Sequence, residues 1–461
     1  FYFSERSKGR VLLDVIGGDR TPATAITKKD RQREIDLRRS LSALNGQVMH
    51  ATQAASRDEI VLAELKRSRE TKRLEYEDFR ANLYASHPEL RLARAALPTV
   101  QAPEAIELLS SPSEAIAIFV AGPQRTWAFA ITVSGIKSFE LPVSTQQLGK
   151  DVDHFLHQLA NRDLRAPETA RRLYELVLGP LRATLHDKTE LVIIPDGVLW
   201  NLPFQALRSG SGRYVIEDLA LSYAPSVTIL REVMRLRRPV PPPATFLAFG
   251  NPAFGTEVTR RERPGLMDGR LEPAPETELQ VNLLGQWYGA SSRVYVGTEA
   301  REERWKSESP RYGIVHIATH GVIDNRSPLY SHIVLARPEK GSTEDGFVEA
   351  WEILDMRLNA RLVVLSACET ARGQLSAGEG VIGLMWAFFV AGSPAQVVTQ
   401  WRVDSASSAE LLVAFHKEWN AGRQNISKAR ALQLASTRLL RSREYSHPFY
   451  WAGYILVGDH R

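Results

Sequence analysis

Short, unbroken apolar runs closed by small or polar residues recur along most of the chain. Ile314-Val315-His316-Ile317-Ala318 and Leu362-Val363-Val364-Leu365-Ser366-Ala367 are the clearest. Neither alternates apolar with polar, so each reads as a strand buried on both faces inside a parallel sheet. From about residue 241 onward such runs, at about 245–250, 293–296, 314–318, 332–336, 362–367, 396–401 and 453–457, are interleaved with segments of helical period. That alternation predicts an α/β unit built on a mostly parallel sheet with helices on both faces. Upstream, 115–120 and 127–133 predict a hairpin around Gly122-Pro123. Helices at about 145–161 and 167–186 follow, and then a buried strand Leu191-Val192-Ile193-Ile194. Pro239 to Pro243 is a proline-rich spacer between these two α/β units.

The opening hundred residues have a different texture. Ser4 to Ile16 mixes charge with Val11, Leu12, Leu13 and Val15 until Gly17-Gly18 breaks it. From about Lys28 to Leu83, Leu37, Leu41, Leu44 and Val48, then Val61, Leu62 and Leu65, fall at helical spacing amid dense charge. This predicts an amphipathic helix or helical hairpin, interrupted at Asn45-Gly46 or at Ser56-Arg57-Asp58. The expected organisation is a helical arm over 1–100, a first α/β half over 101–240 and a second over 241–461. The arm has no candidate catalytic group, so it reads as a regulatory or partner-binding element. A chain starting near Ala102 is expected to keep activity toward a small substrate.

Composition narrows the setting. A length of 461 residues at 44% hydrophobic content is ample for several buried cores. A single cysteine forbids an intrachain disulfide and points to a reducing, cytoplasmic compartment. No apolar stretch approaches about 18 residues, so no membrane-spanning helix is expected. The chain opens on Phe1 with neither an initiator Met nor a signal peptide, and reads as a fragment or a processed form. Its net charge of +5 does not mark a nucleic-acid binder, because basic runs such as Lys28-Lys29-Asp30-Arg31-Gln32-Arg33-Glu34 are laced with acids, as on a solvated helix face.

The candidate chemistry lies just past the two clearest strands. His320, before Gly321, follows one, and Cys368, before Glu369-Thr370, follows the other 48 positions later. Open parallel sheets place their chemistry at the carboxyl ends of strands. A thiol there, leading into a Gly/Ser loop, is exposed in a way that a core cysteine is not. His316 lies deeper in its strand and reads as a core or supporting residue, leaving His320 as the base. Gly378-Glu379-Gly380-Val381-Ile382-Gly383 matches a dinucleotide fingerprint in letters only. About ten residues separate it from the preceding strand, where the fingerprint needs its glycines directly after one. The expectation is a loop turning into a helix over Val381 to Ala391. No Walker A, metalloprotease, zinc-ribbon or nucleophile-elbow motif is present in the sequence, and neither a metal nor an organic cofactor is called for.

With these residues in view, the chain resembles the CHAT domain family. His316-Ile317-Ala318-Thr319-His320-Gly321, Val364-Leu365-Ser366-Ala367-Cys368-Glu369-Thr370 and Gly378-Glu379-Gly380-Val381-Ile382-Gly383-Leu384 carry the likeness. Ile194-Pro195-Asp196-Gly197, Phe249-Gly250-Asn251-Pro252, Trp401-Arg402-Val403-Asp404 and Trp451-Ala452-Gly453-Tyr454 stand in family order, and the resemblance extends over about 105–459. The opening resembles the stretch that leaves a tetratricopeptide array in such proteins. The resemblance implies a caspase-like, separase-related cysteine peptidase in two halves, the first without catalytic residues. It also implies a dedicated protein substrate, a gasdermin-like pore former in bacterial defence and cell death being one example.

In that reading Cys368 is the nucleophile and His320 the proton carrier, and the backbone N–H groups of Gly321 and Cys368 form the oxyanion site. Asp404 has two readings. As the residue after the strand Ala395 to Val403 it can meet a basic side chain preceding the cut. As the residue before a helix starting near Ser405 it is an N-cap. Relatives often carry a further acid there, where this chain has Ser405. The rival to an enzyme is a catalytically silent caspase-like scaffold that binds partner proteins.

Overall fold

The computed structural model describes residues 1–2, 5, 8, 28–53, 59–86, 99–236, 246–254, 273–324, 328–339, 341–366, 374–376, 380–420 and 426–461. The arm is a pair of packed helices, α1 (Lys28–Gln53) and α2 (Glu59–Ser86). Ser56-Arg57-Asp58, where a break is expected, lies outside the described residues. Asn45-Gly46 does not interrupt α1, because Asn45 is buried and its side chain bonds elsewhere in the protein. Of the opening stretch, Glu5 and Lys8 are described; the rest of Ser4 to Ile16 lies outside the described residues. Both side chains are buried against the first α/β half. Glu5 accepts from Thr228 N and Oγ1 at 3.0 and 3.1 Å, and Lys8 Nζ donates to the carbonyls of Phe119 and Pro195.

That half begins with the expected antiparallel hairpin, β1 (Glu114–Ala121) and β2 (Thr126–Thr132), extended by β3 (Gly135–Leu141). Helices α3 (Thr145–Ala160) and α4 (Ala166–Val177) lead to β4 (Glu190–Ile194), parallel to β1, and to β5 (Ala220–Tyr223), parallel to β4. The spacer at Pro239 to Pro243 lies outside the described residues.

The second half supplies β6 (Phe246–Pro252), α6 (Pro275–Tyr288), β7 (Ser292–Gly297) and β8 (Ile314–Ala318), where α5 is Val227–Arg235 of the first half. A small antiparallel sheet follows: β9 (Gly321–Val322), β10 (His332–Val334) and β11 (Phe347–Glu349). It is followed by β12 (Leu362–Ser366), a short hairpin of β13 (Gln374–Ser376) and β14 (Gly380–Ile382), β15 (Ala395–Thr399) and β16 (Tyr454–Gly458). The main sheet has eleven strands in the order β3-β2-β1-β4-β5-β16-β15-β12-β8-β6-β7. The run at 332–336, expected in that sheet, is instead the middle of the small one. The chain leaves β8 after Ala318 and enters β9 at Gly321, and the next apolar run pairs antiparallel with β9.

Register sets up the rest. β6, β8, β12 and β15 are parallel, with Ile314 opposite Leu362 and Ala318 opposite Ser366. β16 runs antiparallel to β15 and meets β5 with Val457 opposite Tyr223. A buried amide network crosses between the halves past the ends of β4 and β15. Gln205 Nε2 donates to Gln400 Oε1 at 3.0 Å and to the Ala452 carbonyl at 2.5 Å. Tyr223 OH donates to Gln205, and Gln400 Nε2 donates to the Trp200 carbonyl at 2.9 Å. Satisfied this fully, such a network fixes one packing of the halves rather than several. On β6, a side chain at Gly250 would collide with Val281 and the Thr277 carbonyl, at 2.6 and 2.9 Å, so glycine lets α6 lie close on the sheet. No helix among the described residues is long and apolar enough to cross a membrane.

His316 is a core residue, as its depth in the strand predicts. It is fully buried, with Nε2 3.1 Å from the Gln280 amide and Nδ1 3.1 Å from His416 Nε2. The relay continues to Tyr288, whose hydroxyl is 3.0 Å from His416 Nδ1. Burial lowers the His316 pKa to about 3 and that of His416 well below its usual value, so both rings enter the fold neutral. The unfolded chain takes up protons at these sites below about pH 6.5, whereas folded His316 resists until near pH 3. Stability therefore falls as pH drops through that window. His316→Leu is expected to lose about 1–3 kcal/mol near neutral pH, because His416 Nε2 and the Gln280 amide each lose their buried partner. It should also decline less steeply than the parent between about pH 6.5 and 4. Thermal melts across that range check this, and parallel curves would contradict a neutral pair.

Candidate active site

Consecutive strands fold away from β6 in opposite directions, β7 to one side and β8 to the other. The crevice between the ends of β6 and β8 is thus a topological switch point, where open α/β sheets bind ligands. His320 stands there. Its carbonyl accepts from Val334 N at 3.0 Å, and Thr319 Oγ1 donates to the Val334 carbonyl at 2.7 Å. Gly321 is opposite Ile333. Since the bond from Val334 N runs to His320, Gly321 and Ile333 are a non-hydrogen-bonded pair, and the Gly321 N–H turns away from β10. The half-buried imidazole lies against Phe254, ring centres 5.5 Å apart.

The β6 side of this crevice is shaped by a residue that the sequence does not single out. Asn251 takes a positive φ of 41°, a strained region for most residues and one that asparagine tolerates. Three bonds hold it: its N–H to Thr277 Oγ1, its side-chain amide to Glu278, and Ala274 N to its Oδ1, each at 2.9 Å. A non-glycine residue so held within the last residues of a strand, where the register with β7 shifts, is a signal that sequence alone does not expose. On the β12 side, Ser366 is buried, with Oγ 2.9 Å from the Tyr454 hydroxyl of β16. Cys368 itself lies outside the described residues.

Asp404 starts the helix α10 (Ser405–Asn420), with α7 (Glu302–Glu308), α8 (Ala350–Leu354) and α9 (Leu384–Ala391) the shorter helices before it. Its Oδ1 accepts from Ser407 N at 2.9 Å and its carbonyl from Ser408 N at 3.0 Å, which is N-cap geometry. The strand before it ends at Thr399 rather than Val403, because Gln400 turns into the network between the halves. The glycine fingerprint does not have dinucleotide-binding geometry. Gly380 is in β14 of a hairpin, and the helix begins only at Leu384, not at Val381, after Gly383 at a φ of 143°. Gly378 lies outside the described residues.

Two clusters among the described residues have metal-ligand spacing, and neither lies at this crevice. Glu302, Glu344 and Glu352 surround Lys306 Nζ at 2.7, 2.5 and 2.7 Å, so an ammonium fills that position. Glu114 and Glu190, at the starts of β1 and β4, face His460 Nε2 at 3.9 Å each. The Glu114 oxygen involved already accepts from Ser110 N at 2.9 Å and from the Arg461 guanidinium at 3.2 Å.

A large, mostly parallel sheet packed with helices makes this an α/β protein of caspase-like fold. The yeast separase–securin complex supports this class: separase aligns with a TM-score of 0.54 at 10% identity, over 81% of this chain and 31% of that one, a likeness of fold alone. The model of the CHAT domain matches residues 167–459, and the chain belongs to the CHAT domain family. The match starts later than the resemblance read from about 105, yet β1, β2 and β3 belong to the same sheet. Tetratricopeptide repeat protein 28 of mouse and of human are 27% and 26% identical over 335 and 333 residues, 63% of this chain in each case. The aligned region is 13% of the length of either relative.

The capping contact has a measurable consequence. Asp404→Ala is expected to lose about 1 kcal/mol of stability, and Asp404→Asn, which keeps a capping oxygen, much less. Chemical denaturation of the two variants checks it; equal losses would show that the carboxylate matters for something other than the cap.

Proposed function

We propose that this chain is a caspase-like cysteine endopeptidase acting through His320 and Cys368 on a dedicated protein substrate. One observation carries the reading. The residues paired between β8 and β12 differ by 48 in number along the whole ladder, and His320 and Cys368 differ by the same 48, both two residues past the last pair. Adjacent strands lie about 4.8 Å apart, the scale on which an imidazole serves a thiol. The switch-point crevice and family membership agree with it.

The chemistry follows from residue types. The Cys368 thiolate attacks the scissile carbonyl carbon, and the developing oxyanion is met by N–H donors, that of Gly321 among them. Protonated His320 gives its proton to the leaving amine, and the acyl group remains on sulfur as a thioester. His320 then takes a proton from water, whose oxygen replaces the sulfur, and the carboxylate product departs. No metal or organic cofactor enters this scheme. Asp404 serves as the acidic contact for an Arg or Lys preceding the cut, alongside its capping bond. The helical arm receives the activating or regulatory partner. A lone cysteine that must stay a thiol fits a reducing cytoplasm. By family resemblance, a gasdermin-like pore former in bacterial defence is the kind of substrate to test first.

Cys368→Ala is expected to abolish cleavage with a cooperative melt retained, and His320→Ala to lose about 10²–10⁴-fold in kcat/KM. A peptide library should return Arg or Lys before the cut, and Asp404→Asn should weaken those substrates selectively. Wild-type turnover in either dyad variant would remove the dyad. A parent profile without basic preference would remove Asp404 from the substrate site.

A further inference from the structure

Arg73 of α2 is 5% exposed, and its charge is directed into the small sheet that follows His320. Nη1 donates to Asp324 Oδ2 at 2.8 Å, and Nη2 is 3.8 Å from Glu349 Oε1. The guanidinium carbon lies 4.2 Å from the centre of the Tyr330 ring, a cation–π distance. Asn45 of α1 donates to the same Glu349 oxygen at 3.3 Å. Around these polar contacts Leu37, Leu41, Tyr76 and Phe79 of the arm close on Tyr330 and Trp351.

The position of these partners gives the contact its meaning. His332 in β10 is opposite Val322 of β9 on one side and Glu349 of β11 on the other. Asp324 follows β9, so Arg73 clasps both outer strands of the three. β9 has two residues, and it is the strand that begins at Gly321, next to His320. A strand so short is held by few bonds of its own, and local opening there costs little without outside support.

Charge points the same way. Burial, then Glu352, raises Glu349 to about 7, against which the nearby Arg73 acts. Asp345 and Glu352 are buried acids raised by the same crowding, and Lys306 is committed to Glu302, Glu344 and Glu352. Arg69 and Glu70, on the same helix, flank Arg73. The arm thus supplies the guanidinium groups that act on Glu349, Arg73 at 3.8 Å and Arg69 beside it, and withdrawing the arm leaves buried acid beside the His320 strand end, a costly arrangement.

We propose that Arg73 is a positioning residue: by bridging Asp324 and Glu349 it fixes the strand end that carries His320 and Gly321, so that docking of the arm and competence of the site are a single event. This rests on the peptidase reading above and specifies its regulation, since a partner that shifts the arm acts on His320. It replaces the expectation that a chain lacking the arm keeps its activity.

The test uses the full chain with Arg73→Met, Arg73→Lys and the charge exchange Arg73→Asp with Asp324→Arg, read by amide hydrogen exchange over 319–324 and by peptide turnover. Arg73→Met should speed exchange there by about tenfold or more and lower kcat with little change in KM. Arg73→Lys should recover part of both, because lysine keeps the charge without the planar fork. The exchanged pair should recover more than either of its single changes. Should Arg73→Met fail to melt cooperatively, Asp324→Asn removes the same bond from the other side and is read in its place. Parent-rate exchange in the folded variant overturns the proposal, and faster exchange with undiminished kcat overturns the link to the site. A parent chain inert toward all peptides overturns the peptidase reading instead, and exchange alone then decides the clasp.

Discussion

Two parallel strands locked in one register, Ile314–Ala318 against Leu362–Ser366, are the constraint on which the candidate site depends. A slip of a single residue would turn every side chain to the opposite face and separate the strand ends. The register is secured by burial rather than by any single bond. Both strands are wholly buried, and their neighbours β6 and β15 extend the same parallel ladder on either side. Behind the ladder the His316–His416 relay runs from Gln280 to Tyr288 and pins β8 against α6 and α10. At its exit, Tyr454 holds Ser366 and Asn251 bends the end of β6. The apolar core sets the geometry, and a few polar contacts aim the ends.

Charge is distributed in a contrasting way. The small sheet beyond His320 gathers Asp345, Glu349 and Glu352 in surroundings that raise all three pKa values, and balances them with Lys306 from within and Arg73 from the arm. Buried acids that need a distant cation make local order conditional on that cation's presence. The first half is a further support: it lends Trp200 and Gln205 to the network beneath β15 and β16 and offers no strand-end histidine or cysteine of its own.

The main strands were legible because burial on both faces forces continuous apolar runs, and the position of His320 just past β8 was legible because it follows such a run and precedes a glycine. Asp404 before α10 was legible as a cap for the same local reason. What stayed hidden is non-local. His332-Ile333-Val334-Leu335-Ala336 has the composition of a main-sheet strand, and only its pairing with β9 and β11 diverts it. Arg73 sits among Lys66, Arg67, Arg69 and Lys72 on a charged helix, with nothing nearby to set it apart from them. Its partner Asp324 is 251 positions away. Asn251 reads as an ordinary residue before proline, while its left-handed backbone depends on contacts from α6.

The central claim is that His320 makes Cys368 a reactive thiolate in a substrate-binding crevice. It is tested most directly by treating the full chain with a peptide carrying a thiol-directed warhead, with a basic residue at the reactive end, and mapping the adduct by mass spectrometry. The account requires a single adduct on Cys368, formed much faster than by a free thiol at the same pH, and slowed in His320→Ala. An adduct that forms no faster than on a model thiol, or that is indifferent to His320→Ala, would contradict it.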